Sequence, residues 1–216
     1  MRASALIPAK GFANAKQRLA PFLSAAEREV LAESMLRIVL DQVISAGGIE
    51  AVFVVTADAR VAQLASSLGA EVIREKEERG ETMAVALALT VMKESGIQTV
   101  LVVPGDIPLL RSSDIELVLE QVTADNPISP FALLVPSHDR MGTNAVLLSP
   151  PDVIRLRFGY DSFSYHISEV TARRLPLRVL ENERIALDID EPEDLERFLS
   201  AGTRGQTYGR LLRTIP

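Results

Sequence analysis

Lys10 and Lys16 stand six residues apart in the segment Pro8-Ala9-Lys10-Gly11-Phe12-Ala13-Asn14-Ala15-Lys16. Two ammonium groups and a run of backbone N–H groups in one loop are equipment for holding phosphates, although the Walker A pattern is missing. Read alone, the segment is equally a solvated loop carrying two surface lysines. Asp106 sits in Pro104-Gly105-Asp106-Ile107-Pro108, where a carboxylate is either a turn former or a ligand. Asp188 and Asp190 alternate by two, which on an extended segment puts both side chains on one face. Like charges side by side are costly unless a cation lies between them. Mg2+ takes carboxylate oxygens together with phosphate oxygens, so Asp106, Asp188 and Asp190 at strand ends point to a magnesium site. The plainer alternative for Asp190 is a helix cap.

Two other stretches are polar in a way that could serve an anion. Met141-Gly142-Thr143-Asn144 leads into an apolar run, and Phe158-Gly159-Tyr160-Asp161-Ser162-Phe163 leads into a helical pattern. Gly159, the Ser162 hydroxyl and the N–H groups of that helix start form a candidate anion cradle. A glycine turn followed by a serine cap explains the same residues without a ligand. His166, one turn further on, reads as a packed or solvated histidine, and His138 receives no role.

Composition bounds what these residues can be part of. The chain has 216 residues with 23 Lys+Arg against 29 Asp+Glu, a formal net charge of -6 and 47% hydrophobic residues. This is an ordinary globule of one domain, residues 1–216, with the tail after about residue 202 expected to be loosely held. The acidic balance argues against nucleic-acid binding, which needs a basic face. With no cysteine, disulfides, thiolate catalysis and Cys-based zinc sites are excluded. No apolar stretch approaches the ~20 residues of a membrane span, and the N-terminal apolar run is short for a signal peptide. A cytoplasmic protein is expected.

The elements that must position these groups follow from periodicity. Leu6-Ile7 opens a first strand. Ser24, three residues before Glu27, marks the start of a long helix that ends at Gly47-Gly48. Strands are expected at 51–55, 71–73, 99–103, 131–135, 144–148, 177–180 and 186–188. Helices are expected at 58–68, 82–94, from a Ser113 cap with Glu116 three on, at 162–171 and at 192–199, the last with Pro192 in its first turn and Asp190 or Glu191 before it. Apolar strands alternating with helices predict an α/β protein with a mostly parallel sheet, whose ligands bind beyond the carboxyl ends of the strands.

In order along the chain, five blocks resemble the 2-phospho-L-lactate and phosphoenolpyruvate guanylyltransferases. They are Ile-Pro-Ala-Lys-Gly-Phe-Ala-Asn-Ala-Lys-Gln-Arg-Leu-Ala at 7–20, Pro-Gly-Asp-Ile-Pro-Leu-Leu at 104–110, Gly-Thr-Asn at 142–144, Phe-Gly-Tyr-Asp-Ser-Phe at 158–163 and Leu-Asp-Ile-Asp-Glu-Pro-Glu-Asp-Leu at 187–195. The resemblance covers residue 6 to about 199. It implies a three-layer sandwich of the nucleotide-diphospho-sugar transferase fold, a GT-A-like Rossmann arrangement with a mostly parallel mixed sheet. It implies transfer of GMP from GTP to a three-carbon phospho-acid with release of diphosphate, in the biosynthesis of coenzyme F-420. Phosphoenolpyruvate, 2-phospho-L-lactate and 3-phosphoglycerate are all within the range of acceptors. By the same resemblance Asp106, Asp188 and Asp190 hold Mg2+, and Thr143, Gly159 and Ser162 hold the phospho-acid. Pro8, Ala9, Lys10, Lys16, Thr82 and Asp106 fall on the nucleotide, with Lys10 and Lys16 as the catalytic cations. Gly80-Glu81-Thr82 departs from the Leu-Asn pair that relatives often carry there, and Thr82 is the stand-in. The implied partners are GTP, a small phospho-acid and a downstream transferase that takes the product; a homodimer stays open. A nucleotidyltransferase for a molybdopterin or sugar phosphate, a glycosyltransferase of the same fold and a non-catalytic binding protein are the competing readings.

Overall fold

The structure, a computed structural model, describes residues 2–124 and 129–202; the expected loose tail lies outside the described residues. One sheet is built from β1 (Ala3–Pro8), β2 (Ile49–Thr56), β3 (Glu71–Arg74), β4 (Val100–Val102), β5 (Phe131–Pro136), β6 (Thr143–Ser149) and β7 (Leu177–Val179). Their spatial order is β3-β2-β1-β4-β6-β5-β7. Only β6 is reversed: it pairs antiparallel with β4 and β5, while the other neighbours pair parallel. The helices are α1 (Ala25–Ile44), α2 (Ala59–Ser67), α3 (Glu81–Glu94), α4 (Ser112–Ala124), α5 (Ser162–Ala172) and α6 (Pro192–Ser200).

Strands covered on both faces need apolar residues at every position, and the continuous runs in β1, β4, β5 and β6 meet that need. Alternate residues serve opposite layers. Ala5, Ile7, Leu101, Leu133 and Leu147 pack with Val39, Leu40 and Val43 of α1 and with Ile115 and Val118 of α4. Leu6, Val100, Val102, Leu134 and Val146 pack on the other face with Val85, Ala88 and Met92 of α3 and with Phe163 and Val170 of α5. The three-layer sandwich follows from this two-sided burial.

Most expected elements are present within a residue or two. The Ser24–Glu27 capping box closes the start of α1, a cap contributing about 1 kcal/mol. Gly69 and Gly96 end α2 and α3 with φ of 94° and 86°. Two expectations need correction. Ser113 lies inside α4 and not at its cap; Asp114 instead accepts from the Arg111 N–H, and Glu116 accepts from the Gly47 N–H across the fold. Residues 186–188 do not form a strand. They lie outside the sheet: Ala186 sits in a bend, its carbonyl accepts from the His138 N–H at 2.9 Å, and Asp188 accepts from Asn144.

That segment belongs to a third, smaller core. Leu19, Leu31 and Met35 pack against Leu187, Ile189, Leu195 and Phe198. Leu187 and Ile189 are buried in this core, while Asp188 and Asp190, which alternate with them along the chain, are only part-buried. Glu191 and Asp194 form a capping box at the start of α6, so Glu191 takes the capping position and Asp190 is left for other work.

Candidate active site

The carboxyl ends of β1 and β4 meet the amino end of the reversed β6 on one side of the sheet. Val102 pairs with Val146 and Leu6 pairs with Val102, so the chain leaving β4 toward Asp106 runs beside Thr143 and Asn144. One reversed strand thus brings the Gly-Thr-Asn block to the lysine loop and to Asp106, which a purely parallel sheet would have separated.

The loop after β1 makes two 3-10 turns, Phe12–Asn14 and Gln17–Leu19, with Lys16 between them in left-handed backbone at φ 52°. A non-glycine residue there costs on the order of 1 kcal/mol. What the conformation achieves is visible in the side chain. Lys16 Nζ lies 2.5 Å from Asp106 Oδ2 and 2.9 Å from Asp190 Oδ1, and the lysine side chain is only 9% exposed. Burial works against its charge, but the two carboxylates more than offset that and hold the ammonium above its ordinary range. Burial likewise opposes ionisation of Asp190, and Lys16 more than offsets it, keeping that carboxyl below its usual value. Lys16 is therefore a fixed cation.

Asp188 is placed differently. Asn144 Nδ2 donates to Asp188 Oδ1 and to the Ile185 carbonyl, both at 3.0 Å, pinning the segment to β6. The Ile189 N–H donates to the Asp106 carbonyl oxygen at 3.1 Å and joins the segment to the β4 loop. Burial first, then the negative charge of Asp106, pushes the Asp188 carboxyl up to about 6. Asp106 Oδ1 is buried and has no hydrogen-bond partner. A shielded acceptor beside a destabilised carboxylate is what a divalent cation relieves. Among the described residues no group of three or more His, Cys, Asp and Glu side chains closes on one point by itself. The physical reason is Lys16, whose ammonium already engages Asp190 and the other oxygen of Asp106. Asp106 Oδ1 and the Asp188 carboxylate are the oxygens that Lys16 does not engage, and their chemistry is of the kind that Mg2+ takes together with water and phosphate oxygens.

A cavity of about 420 Å3 opens at this end of the sheet, walled by Pro8, Ala9, Lys10, Lys16, Glu81, Asp106 and Asp190 among others. Thr82 does not line it; its Oγ1 accepts from the Phe158 N–H at 3.0 Å, tying α3 to the 158–163 block. Its neighbour Glu81 lines the cavity instead, a residue to which sequence reasoning gave no role. Burial and then Asp106 raise its carboxyl to about 7, with Lys10 acting in the opposite direction.

Thr143, Gly159 and Ser162 come together, and none of the three lines that cavity. The Thr143 N–H donates to Ser162 Oγ at 3.1 Å, and the Ser162 N–H donates to the Gly159 carbonyl at 3.2 Å. Both hydroxyl residues are buried. The φ of 101° at position 159 is what calls for glycine there, since a Cβ would meet no protein atom within 4 Å. Asp161, at φ 54°, turns the chain sharply into α5 without capping it.

Comparisons with known proteins bear on the family and the fold. Residues 3–215 match the family described as guanylyl transferase CofC like. A phosphoenolpyruvate guanylyltransferase of Conexibacter woesei is 35% identical, with 100% of this chain and 99% of the relative covered. A 2-phospho-L-lactate guanylyltransferase of Methanothermobacter thermautotrophicus is 34% identical over 99% of this chain and 92% of its own. A 3-phospho-D-glycerate guanylyltransferase of Phenylobacterium zucineum is 33% identical over 89% and 87%. Among solved structures, one assigned to the nucleotide-diphospho-sugar transferases, from Desulfovibrio desulfuricans G20, superposes with a TM-score of 0.76 at 16% identity, covering 99% of this chain and 98% of that one. The sandwich is that fold, and the full-length match places this chain in the CofC-like guanylyl transferase family.

Proposed function

We propose that this protein transfers GMP from GTP to the phosphate of a three-carbon phospho-acid, releasing diphosphate, as a step in making coenzyme F-420. The observation that carries the reading is Lys16, a permanently charged ammonium buried in the cavity wall beside Asp106. The barrier to joining two phosphates is chiefly repulsion between polyanions, and fixed cations lower it. On this reading an oxygen of the acceptor phosphate attacks the α-phosphorus of GTP, a new P–O bond forms, and the bond to the diphosphate breaks. The attacking phosphate is already anionic, so no residue is needed to remove a proton. Lys10 and Lys16 lie along the triphosphate, with Pro8 and Ala9 offering backbone at the base end. Asp106 and Asp188 are the residues that would hold Mg2+, which when bound neutralises charge on the triphosphate.

Thr143, Gly159 and Ser162 take the acceptor phosphate. A phosphate asks for several convergent donors, and one hydroxyl at the start of β6 beside another at the start of α5 meets that demand without more positive charge. Relatives with three different acceptor names match this chain at nearly equal identity, so identity does not select the acceptor. The deciding experiment incubates the protein with GTP, Mg2+ and, separately, phosphoenolpyruvate, 2-phospho-L-lactate and 3-phosphoglycerate, and reads diphosphate release. Release that depends on one of these acids supports the reading; release with none of them, or only with a sugar phosphate, ends it.

A further inference from the structure

His166 is fully buried beneath the Thr143–Ser162 pair, and nothing in the reading above uses its ring nitrogens. Nε2 lies 3.0 Å from the backbone N–H of Arg157, a group that can only donate, so Nε2 carries the lone pair. The single proton of a neutral imidazole then sits on Nδ1, 3.0 Å from Thr143 Oγ1. That hydroxyl oxygen accepts from His166, which turns its own proton away from the ring. Ser162 is arranged in the same sense, its Oγ accepting from the Thr143 N–H. Both hydroxyls are thereby left to donate, the polarity a phosphate requires and an ammonium or an amide N–H would reject.

We propose that His166 is a positioning residue that fixes the Thr143 hydroxyl as a hydrogen-bond donor toward the phosphate of the acceptor, an inference that rests on the acceptor-side reading above. Its surroundings hold the needed form. Burial, reinforced by the nearby Arg157 charge and opposed by Glu169, brings the imidazole down to about 4, so it is neutral at ordinary pH. The rings of Phe158 and Tyr165 stand edge-on to it at 5.8 and 5.7 Å and resist its turning over, which would exchange donor and acceptor. A histidine on the buried side of an amphipathic helix reads from sequence as packing alone; the two-sided bonding is what distinguishes it.

The test is a set of variants read by KM for the acceptor that supports turnover and KM for GTP. Thr143→Val and His166→Phe should each raise the acceptor KM about tenfold, the value of one hydrogen bond to a charged group, with the GTP KM within about twofold of the parent. The double variant should be no worse than Thr143→Val alone. His166→Asn, whose amide N–H falls where Nδ1–H was, should recover most of the acceptor KM, and His166→Gln, which reaches only the Nε2 position, should not. Equal loss of both KM values in His166→Phe, multiplying effects in the double variant, or Gln matching Asn would each overturn the proposal. Should His166→Phe fail to fold, the Asn–Gln contrast decides. An unchanged acceptor KM in Thr143→Val would instead bring down the acceptor-side reading itself, whereas a raised one there with a normal His166→Phe removes only the positioning role.

Discussion

Lys16 shows how far one side chain is committed by its neighbours. Replacing it with Ala leaves Asp106 and Asp190 facing each other without a cation and removes positive charge from the cavity wall. Turnover of GTP should fall about 100-fold or more, the usual cost of losing one preorganised charge contact. Diphosphate release under saturating GTP measures this, and parental rates would mean that Lys16 serves only to pair two aspartates. Ser162 behaves less simply than its type indicates. Its oxygen satisfies the buried Thr143 N–H, so Ser162→Ala should raise the acceptor KM and also lower stability by ~1–3 kcal/mol through an orphaned donor. A melting temperature unchanged beside a raised KM would show that water replaces the hydroxyl at that N–H.

The positioning of these residues belongs to short, irregular stretches more than to helices and strands. Segment 182–190 is the clearest case: Asp114, fully buried at the start of α4, accepts from Arg184 and from Asn182, while Asn144 holds Asp188. Asp114→Ala should cost ~1–3 kcal/mol, since it leaves Asn182 and the Arg111 N–H without their acceptor while the part-exposed Arg184 can turn to water, and it should loosen the segment that carries Asp188. Chemical denaturation gives the first quantity; amide exchange at 185–190 reads the second, and protection equal to the parent's would show that Asn144 suffices. This same segment marks the border of what sequence reasoning reaches. β4 and β6 were legible because burial on both faces demands unbroken apolar runs, and α1 because a capping box is a local signal. Residues 186–188 read as a strand from their apolar content, yet Leu187 serves the small core with Phe198 instead of a sheet. Lys10, Lys16 and Asp106 could be picked out by type and loop position. The tasks of Asn144, Glu81 and His166 could not, because each depends on a partner far along the chain. The cap assigned to Ser113 failed for a related reason: Glu116 is spent on Gly47, 69 residues away.

For the molecule as a whole, the buried neutral histidine makes a definite demand on pH. The folded state holds His166 near 4 while an unfolded chain titrates near 6.5, so between those values only the unfolded state is protonated. Its contribution to stability is thus complete above pH 6.5 and is lost as pH falls toward 4, a change on the order of 3 kcal/mol at 1.36 kcal/mol per unit. Denaturation midpoints of parent and His166→Asn at pH 7, 5.5 and 4.5 check this, and parallel curves would refute it. The scale of the whole chain also enters through the ion pair between Lys16 and Asp190, which joins residues 174 positions apart. In chain order β1, β2 and β4 all precede Asp190, so a growing chain can bury these strands before the lysine meets its second carboxylate. The cavity wall is then completed after the strands that support it have paired. In refolding from denaturant, far-ultraviolet dichroism should recover ahead of diphosphate release, because the contact that completes the cavity wall closes a loop of 174 positions.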